Sequence, residues 1–155
     1  MIVIGFDPGS IYFGVGIIKI EKKKKYYLHS ETIKLKENDF YSKMKTLWKR
    51  LGEIYTSFPI DEAAIEEGFL GKNVKSMNLL SKVRGVVLAS LLIKNIDLKF
   101  YSPMQIKLAL TGNGNAAKTQ VNNTIKILLN LKERELTNDE SDALAIAYCY
   151  SLNLK

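Results

Sequence analysis

Acidic residues stand at three widely separated places in this chain where a fold could gather them. Asp7 closes the apolar run Ile2-Val3-Ile4-Gly5-Phe6 and is followed by Pro8-Gly9. Glu66 closes a second run, Ala63-Ala64-Ile65. Asp139 and Asp142 are three residues apart at the opening of a helical segment, which puts them on one face with Cβ atoms ~5–6 Å apart. A carboxylate in a dry interior is costly unless something neutralises it, and hard oxygen ligands suit Mg²⁺ or Mn²⁺. Each acid also has a plain reading: a strand-end Asp caps turns, and acids favour the first helical turn for dipole reasons alone. Taken with the positive charge elsewhere in the chain, the set makes a metal-dependent nuclease the first hypothesis.

The elements that must position these acids follow from hydrophobic pattern. Residues 2–7 do not alternate and read as a strand buried on both faces. Residues 12–20 and 26–34 read as the second and third strands, joined at Lys22–Lys25, a solvated tip that blunts an edge. From Asp39 to Ser57 the apolar positions Phe40, Met44, Leu47, Leu51, Ile54 and Phe58 step by four, three, four, three and four. That spacing predicts an amphipathic helix, ended by Pro59, with Trp48 and Tyr55 widening its core stripe. Residues 60–66 form a strand, and a helix over 74–94 is apolar on more than one side, one for the sheet and one for a partner such as a second subunit. A strand at 97–101, a helix from Pro103 to about Ala109, a polar loop Thr111–Ala116 and a helix over 117–131 follow. Thr137-Asn138-Asp139-Glu140 is a capping box that opens the last helix. Strands followed by interleaved helices predict an α/β domain with a mixed sheet, one domain over residues 1–155.

Of 155 residues, 46% are hydrophobic and 25% charged, which fits an ordinary globular chain. No apolar stretch approaches ~18 residues, so no membrane span is expected. The lone Cys149 excludes an internal disulfide and fits the cytoplasm. A net charge of +7 suggests a polyanionic partner. Only Arg50, Arg84 and Arg134 among the 23 basic residues are arginine. Lysine meets phosphate as a point charge, so backbone contacts should outweigh base reading.

Asp7-Pro8-Gly9, with Gly14 and Gly16 beyond it, puts a carboxylate at the end of a central strand facing a hairpin. Nucleases hold Mg²⁺ this way, and so do actin-like ATPases. The ATPases need two lobes and a second phosphate hairpin, for which this chain has no room.

Several motifs also carry a resemblance. Gly-Phe-Asp-Pro-Gly-Ser (5–10), Ala-Ile-Glu-Glu-Gly-Phe (64–69), Lys-Val-Arg-Gly (82–85), Gln-Ile-Lys (105–107), Ala-Ala-Lys-Thr-Gln-Val (116–121) and Asp-Glu-Ser-Asp-Ala-Leu-Ala (139–145) occur in this order. In order and spacing the chain resembles the RuvC Holliday-junction resolvases over nearly its whole length. The resemblance implies a ribonuclease-H-like fold with a five-stranded sheet flanked by helices. It also implies a homodimer that nicks four-way DNA junctions symmetrically in recombination and repair. The implied cofactor is Mg²⁺, with Mn²⁺ able to substitute, two ions per site. Asp7, Glu66, Asp139 and Asp142 look like the metal-binding tetrad, with Asp7 touching both ions. Lys107 and Lys118 look like phosphate-contacting lysines, Lys118 offsetting charge on the scissile phosphate, and Phe69 looks like an aromatic wedge at the crossover. Lys72, Lys75 and Arg84 are expected DNA contacts, and the RuvA–RuvB branch-migration complex is the expected partner in a bacterium.

Glu67 places a second acid beside Glu66. Adjacent strand residues face opposite ways, so only one should join the metals, and the motif favours Glu66. His29, in the third strand, reads as structural. Two rivals stand beside the resolvase reading: a ribonuclease-H-like nuclease acting on RNA, and a module that holds branched DNA without cutting it.

Overall fold

The computed structural model describes residues 1–68 and 74–154. Their elements are β1 (Ile2–Asp7), β2 (Tyr12–Glu21), β3 (Lys24–Lys34), α1 (Phe40–Ser57), β4 (Glu62–Glu66), α2 (Val74–Lys94), β5 (Asp97–Tyr101), α3 (Pro103–Thr111), α4 (Lys118–Leu128) and α5 (Asn138–Leu152). The strands make one mixed sheet in the order β3-β2-β1-β4-β5. β1, β2 and β3 form an antiparallel meander, while β4 runs parallel to β1 and β5 parallel to β4. This is the α/β class and mixed five-stranded sheet that the sequence predicts.

Each sheet face carries its own core. Ile4, Phe6, Ala63 and Ile65 pack with α1 and α2, whereas Val3 and Ala64 pack with α3, α4 and α5. Because strand side chains alternate, Asp7 shares the face of Val3, and Glu66 that of Ala64. Both acids are therefore aimed at α5 from the C-terminal ends of adjacent parallel strands.

Helix α5 lies unusually close to the sheet. A Cβ at Gly5 would come within 2.7 Å of the Ala147 amide nitrogen, and one at Gly16 within 2.5 Å of that of Leu144. A Cβ at Gly14 would overlap the Asp139 carbonyl oxygen. Gly5 pairs with Gly16, and Asp7 with Gly14. Bare backbone there lets the small residues Ala143 and Ala147 seat α5 against β1 and β2. Residues 143–151 of the helix are buried throughout, between the sheet and the layer of α3 and α4.

Some expectations need correction. The β2–β3 turn is only Lys22-Lys23, with Glu21 already paired to Lys24, and Lys22 adopts a left-handed backbone (φ 56°). β4 begins at Glu62, and α4 stops at Leu128, before Asn130 turns left-handed at φ 57°. Trp48 is 45% exposed and is not core: one position past Leu47, it falls beside the buried stripe of Met44, Leu47, Leu51 and Ile54. There it lines a shallow apolar groove with Tyr41 and Val86. Tyr55 stays half-buried, its hydroxyl 2.9 Å from Ser90 Oγ.

Helix α2 buries Val83, Val87, Ser90 and Leu91 but leaves Leu92 and Ile93 at 76% and 70% exposure. It has a second apolar side, as its pattern predicts. By length and composition alone it would pass for a membrane span, contrary to the expectation that no segment would. Its place in the chain argues otherwise, since it is the crossover joining the hydrogen-bonded parallel strands β4 and β5.

Candidate active site

Asp7, Glu66 and Asp142 line one cavity of about 260 Å³ together with Lys107 and Lys118. Each comes from a different element. β1 and β4 end side by side, with Phe6 opposite Ile65, so the next residue of each strand reaches the same rim. Helix α5 delivers Asp142 because its N-terminus is capped just above Gly14: Thr137 Oγ1 accepts the Glu140 amide at 3.1 Å. Asp139, three residues earlier, flanks the cavity with its carbonyl over Gly14 and its charge acting on Asp7. Lys107 comes from α3, whose start is set by the Ser102 cap and Pro103. Lys118 opens α4.

The acids are held against their own repulsion. Burial, then the charges of Asp142, Glu66 and Asp139, push the Asp7 carboxyl up to about 7, with Lys118 opposing. Burial also raises Glu66, assisted by Asp142 and resisted by Arg84, Lys118 and Lys107. Asp142 is raised by burial despite an ion pair with Lys118, Nζ to Oδ2 at 2.6 Å. That same pair raises the Lys118 ammonium.

The donor set, all carboxylate oxygens with uncompensated negative charge, fits a hard divalent cation. As the side chains stand, no three acids among the described residues form a ready-made ligand set. The Lys118 ammonium is the cation that Asp142 contacts. The residues fit the metal in chemistry and placement, and binding would require local side-chain rearrangement.

A cavity of clustered acids rimmed by lysines, on a meander followed by two parallel strands, narrows the comparison with known proteins. The family model described as crossover junction endodeoxyribonuclease RuvC matches residues 3–150. The chain belongs to the RuvC family. A curated relative, the crossover junction endodeoxyribonuclease RuvC of Christiangramia forsetii, is 39% identical over 153 residues, covering 98% of this chain and 80% of that protein. RuvC of Thermus thermophilus, solved in complex with a Holliday junction substrate, superposes with a TM-score of 0.92 at 30% identity, covering 98% of this chain and 93% of that one. A further Thermus thermophilus RuvC structure gives 0.89 at 31% identity, with 98% and 94% covered.

The other residues singled out in the sequence do not line this cavity among the described residues. Glu67 is exposed and outside the cavity, its amide donating to the Tyr101 carbonyl at 2.8 Å. Arg84 is half-buried: a Cβ at Gly68 would come within 2.5 Å of its Nη1, and its Nε has no hydrogen-bond partner among the described residues. Its charge is directed at Glu66. Lys75 is exposed in the first turn of α2. Phe69 and Lys72 lie outside the described residues. His29 pairs with Glu31 at 3.0 Å and stacks on Phe58, away from the acids.

Sequence reasoning did not find the glycine bed under α5 or the pair between Lys118 and Asp142. The glycines at 5, 14 and 16 stand in the sequence, and the two-residue spacing of Gly14 and Gly16 on β2 was the available signal. Nothing in the spacing of residues 118 and 142 marks their contact.

Proposed function

We propose that this chain resolves four-way DNA junctions by paired phosphodiester cuts made at the cavity around Asp7. The observation that carries the reading is the convergence of Asp7, Glu66 and Asp142 on one cavity, with Asp7 raised to about 7 by burial and its acidic neighbours. Asp7, Glu66, Asp139 and Asp142 would hold Mg²⁺ or Mn²⁺, two ions per site. When bound, such ions supply a nucleophilic water at neutral pH and neutralise charge on the phosphate.

The chain's own groups supply the rest. Asp7 would have to give up its proton to hold a cation. Cation binding favours that ionised form and releases the proton to solvent. Lys118 would offset charge on the scissile phosphate if a bound cation took its place at Asp142. Lys107 on the same rim would hold the neighbouring backbone. Lys75, Arg84, Phe69 and Lys72 are the further proposed DNA contacts.

The exposed apolar side of α2, with Leu88, Leu92 and Ile93 at 38%, 76% and 70% exposure, is the proposed homodimer interface. Two-fold symmetry matches the paired equivalent strands of a junction. The proposal extends to a cytoplasmic enzyme acting as one domain over residues 1–155, beside RuvA and RuvB where the host has them.

The decisive experiment incubates a four-way junction, a linear duplex and an RNA duplex with and without Mg²⁺, mapping nicks on every strand. Symmetric Mg²⁺-dependent nicks confined to the junction are expected. Junction binding without nicking would leave only a binding module, and preferential RNA cutting would favour the ribonuclease rival.

A further inference from the structure

Glu140 stands between Asp139 and Asp142 in the chain, yet it does not line the cavity. Its carboxylate turns to β3 instead. Oε1 accepts the Ser30 hydroxyl at 2.9 Å, and Oε2 accepts the Thr137 amide at 2.8 Å. Ser30 is only 5% exposed, and its oxygen also pairs with the Tyr27 hydroxyl at 3.2 Å. Two residues along the same strand, Thr32 Oγ1 meets Thr137 Oγ1 at 2.6 Å.

A capping box requires only Thr137 and Glu140. The bonds to Ser30 and Thr32 are additional, and they join the first turn of α5 to a strand more than 100 residues earlier in the chain. Helix ends are where backbone groups lack partners and where fraying begins. Asp139 and Asp142 ride on this end. The glycines of β1 and β2 fix how high α5 sits above the sheet, but apolar packing is tolerant of sliding. A charged hydrogen bond to a buried hydroxyl is directional.

We propose that Glu140, acting through Ser30, is a positioning residue for cleavage: the bridge to β3 holds Asp139 and Asp142 in register with Asp7. The inference rests on the reading of these acids as the cation site. Glu140 is thus separated in role from the acids on either side of it, although all three share one helical turn.

The test uses Ser30→Ala, Glu140→Ala and Glu140→Gln in the full chain. Two curves are recorded for each: junction cleavage against Mg²⁺ concentration, and the rise in melting temperature against Mn²⁺ concentration. Ser30→Ala leaves the capping box intact but removes the buried hydroxyl's bonds to Glu140 and Tyr27, so its metal-free melting temperature should fall slightly. Its cation midpoints in both curves should rise by about tenfold, the lower end of what loss of a ligand-orienting group costs. Glu140→Ala should show the same rise with a lower melting temperature. Glu140→Gln should recover most of the midpoint, because its oxygen can accept the Thr137 amide while its NH₂ donates to Ser30 Oγ.

Wild-type midpoints in both Ser30→Ala and Glu140→Ala, or a melting loss with no midpoint change, would overturn the inference. A wild-type protein that shows no Mn²⁺ shift at all would remove the acid site, and this inference with it. A normal wild-type shift left unaltered by the variants would remove this inference alone.

Discussion

Lys118 Nζ lies 2.6 Å from Asp142 Oδ2, so the base proposed to serve the phosphate is tied to one of the acids proposed to hold the cations. The Lys118 side chain is 61% exposed but that of Asp142 only 20%, so screening weakens the pair without removing the need for it. Lys118→Ala should therefore lower the metal-free melting temperature modestly, because it takes away the cation that opposes repulsion among Asp7, Glu66 and Asp142. Single-turnover cleavage should fall by about 10²-fold, the scale for losing one stabilising group at a reacting centre. Equal losses in junction affinity and rate would assign Lys118 to binding alone.

Asp7→Asn separates catalysis from folding. Two carboxylates about 5 Å apart repel by roughly 3 kcal/mol at an effective dielectric of 20. Removing the charge at the centre of the cluster should abolish Mg²⁺-dependent nicking and raise the metal-free melting temperature. A variant that nicks junctions at the wild-type rate would refute the site.

The pH dependence has a definite sign. Asp7 has a folded value of about 7 against an ordinary 3.8, so between these limits the folded chain binds its proton more tightly than the unfolded chain. By linkage, its contribution is intact below pH 3.8, is lost as pH rises toward 7, and is flat above. Glu66 and Asp142 are raised too and act in the same direction. The melting temperature of Asp7→Asn minus that of wild type, without metal, should therefore grow across that window. Cleavage at limiting Mg²⁺ should rise with pH through about 7, and its midpoint should move to lower pH as Mg²⁺ is increased.

Gly16→Ala should displace α5, since the added carbon would sit 2.5 Å from the Leu144 amide nitrogen, which is backbone and cannot swing aside. Overpacking of this kind costs about 1–3 kcal/mol or more, readable by urea unfolding. Gly52→Ala is the matched control: it lies in α1 with nothing within 4 Å of the new carbon. It should stabilise by about 1 kcal/mol through helix propensity.

Leu92→Glu tests the exposed side of α2. Sedimentation at micromolar concentration should show a dimer for wild type and a monomer for the variant, with paired nicking becoming uncoupled. A monomeric wild type would remove the proposed interface.

The strands and helices were legible because burial imposes periods of two and 3.6, and Asp7 and Glu66 were legible because both end apolar runs. Parity put Glu66 and Glu67 on opposite faces, and the motif chose Glu66 between them. Trp48 was misjudged because a stripe seen in projection has no sharp edge, and one step of 100° carried the indole into solvent. Contacts such as Ser30 with Glu140 join residues 110 apart. They depend on how α5 is seated against β1 and β2, which no local pattern encodes.

The Lys22-Lys23 turn has a practical consequence. It closes the end of the β2–β3 ribbon away from Gly14, eight residues along β2 and so roughly 25 Å from the acids. A fluorophore coupled there after replacing Lys23 with cysteine would touch neither the chemistry nor the α2 face. Because the only native thiol, Cys149, is buried and pushed up to about 11, labelling would be confined to the new position, giving a reporter of DNA arrival that is independent of cutting.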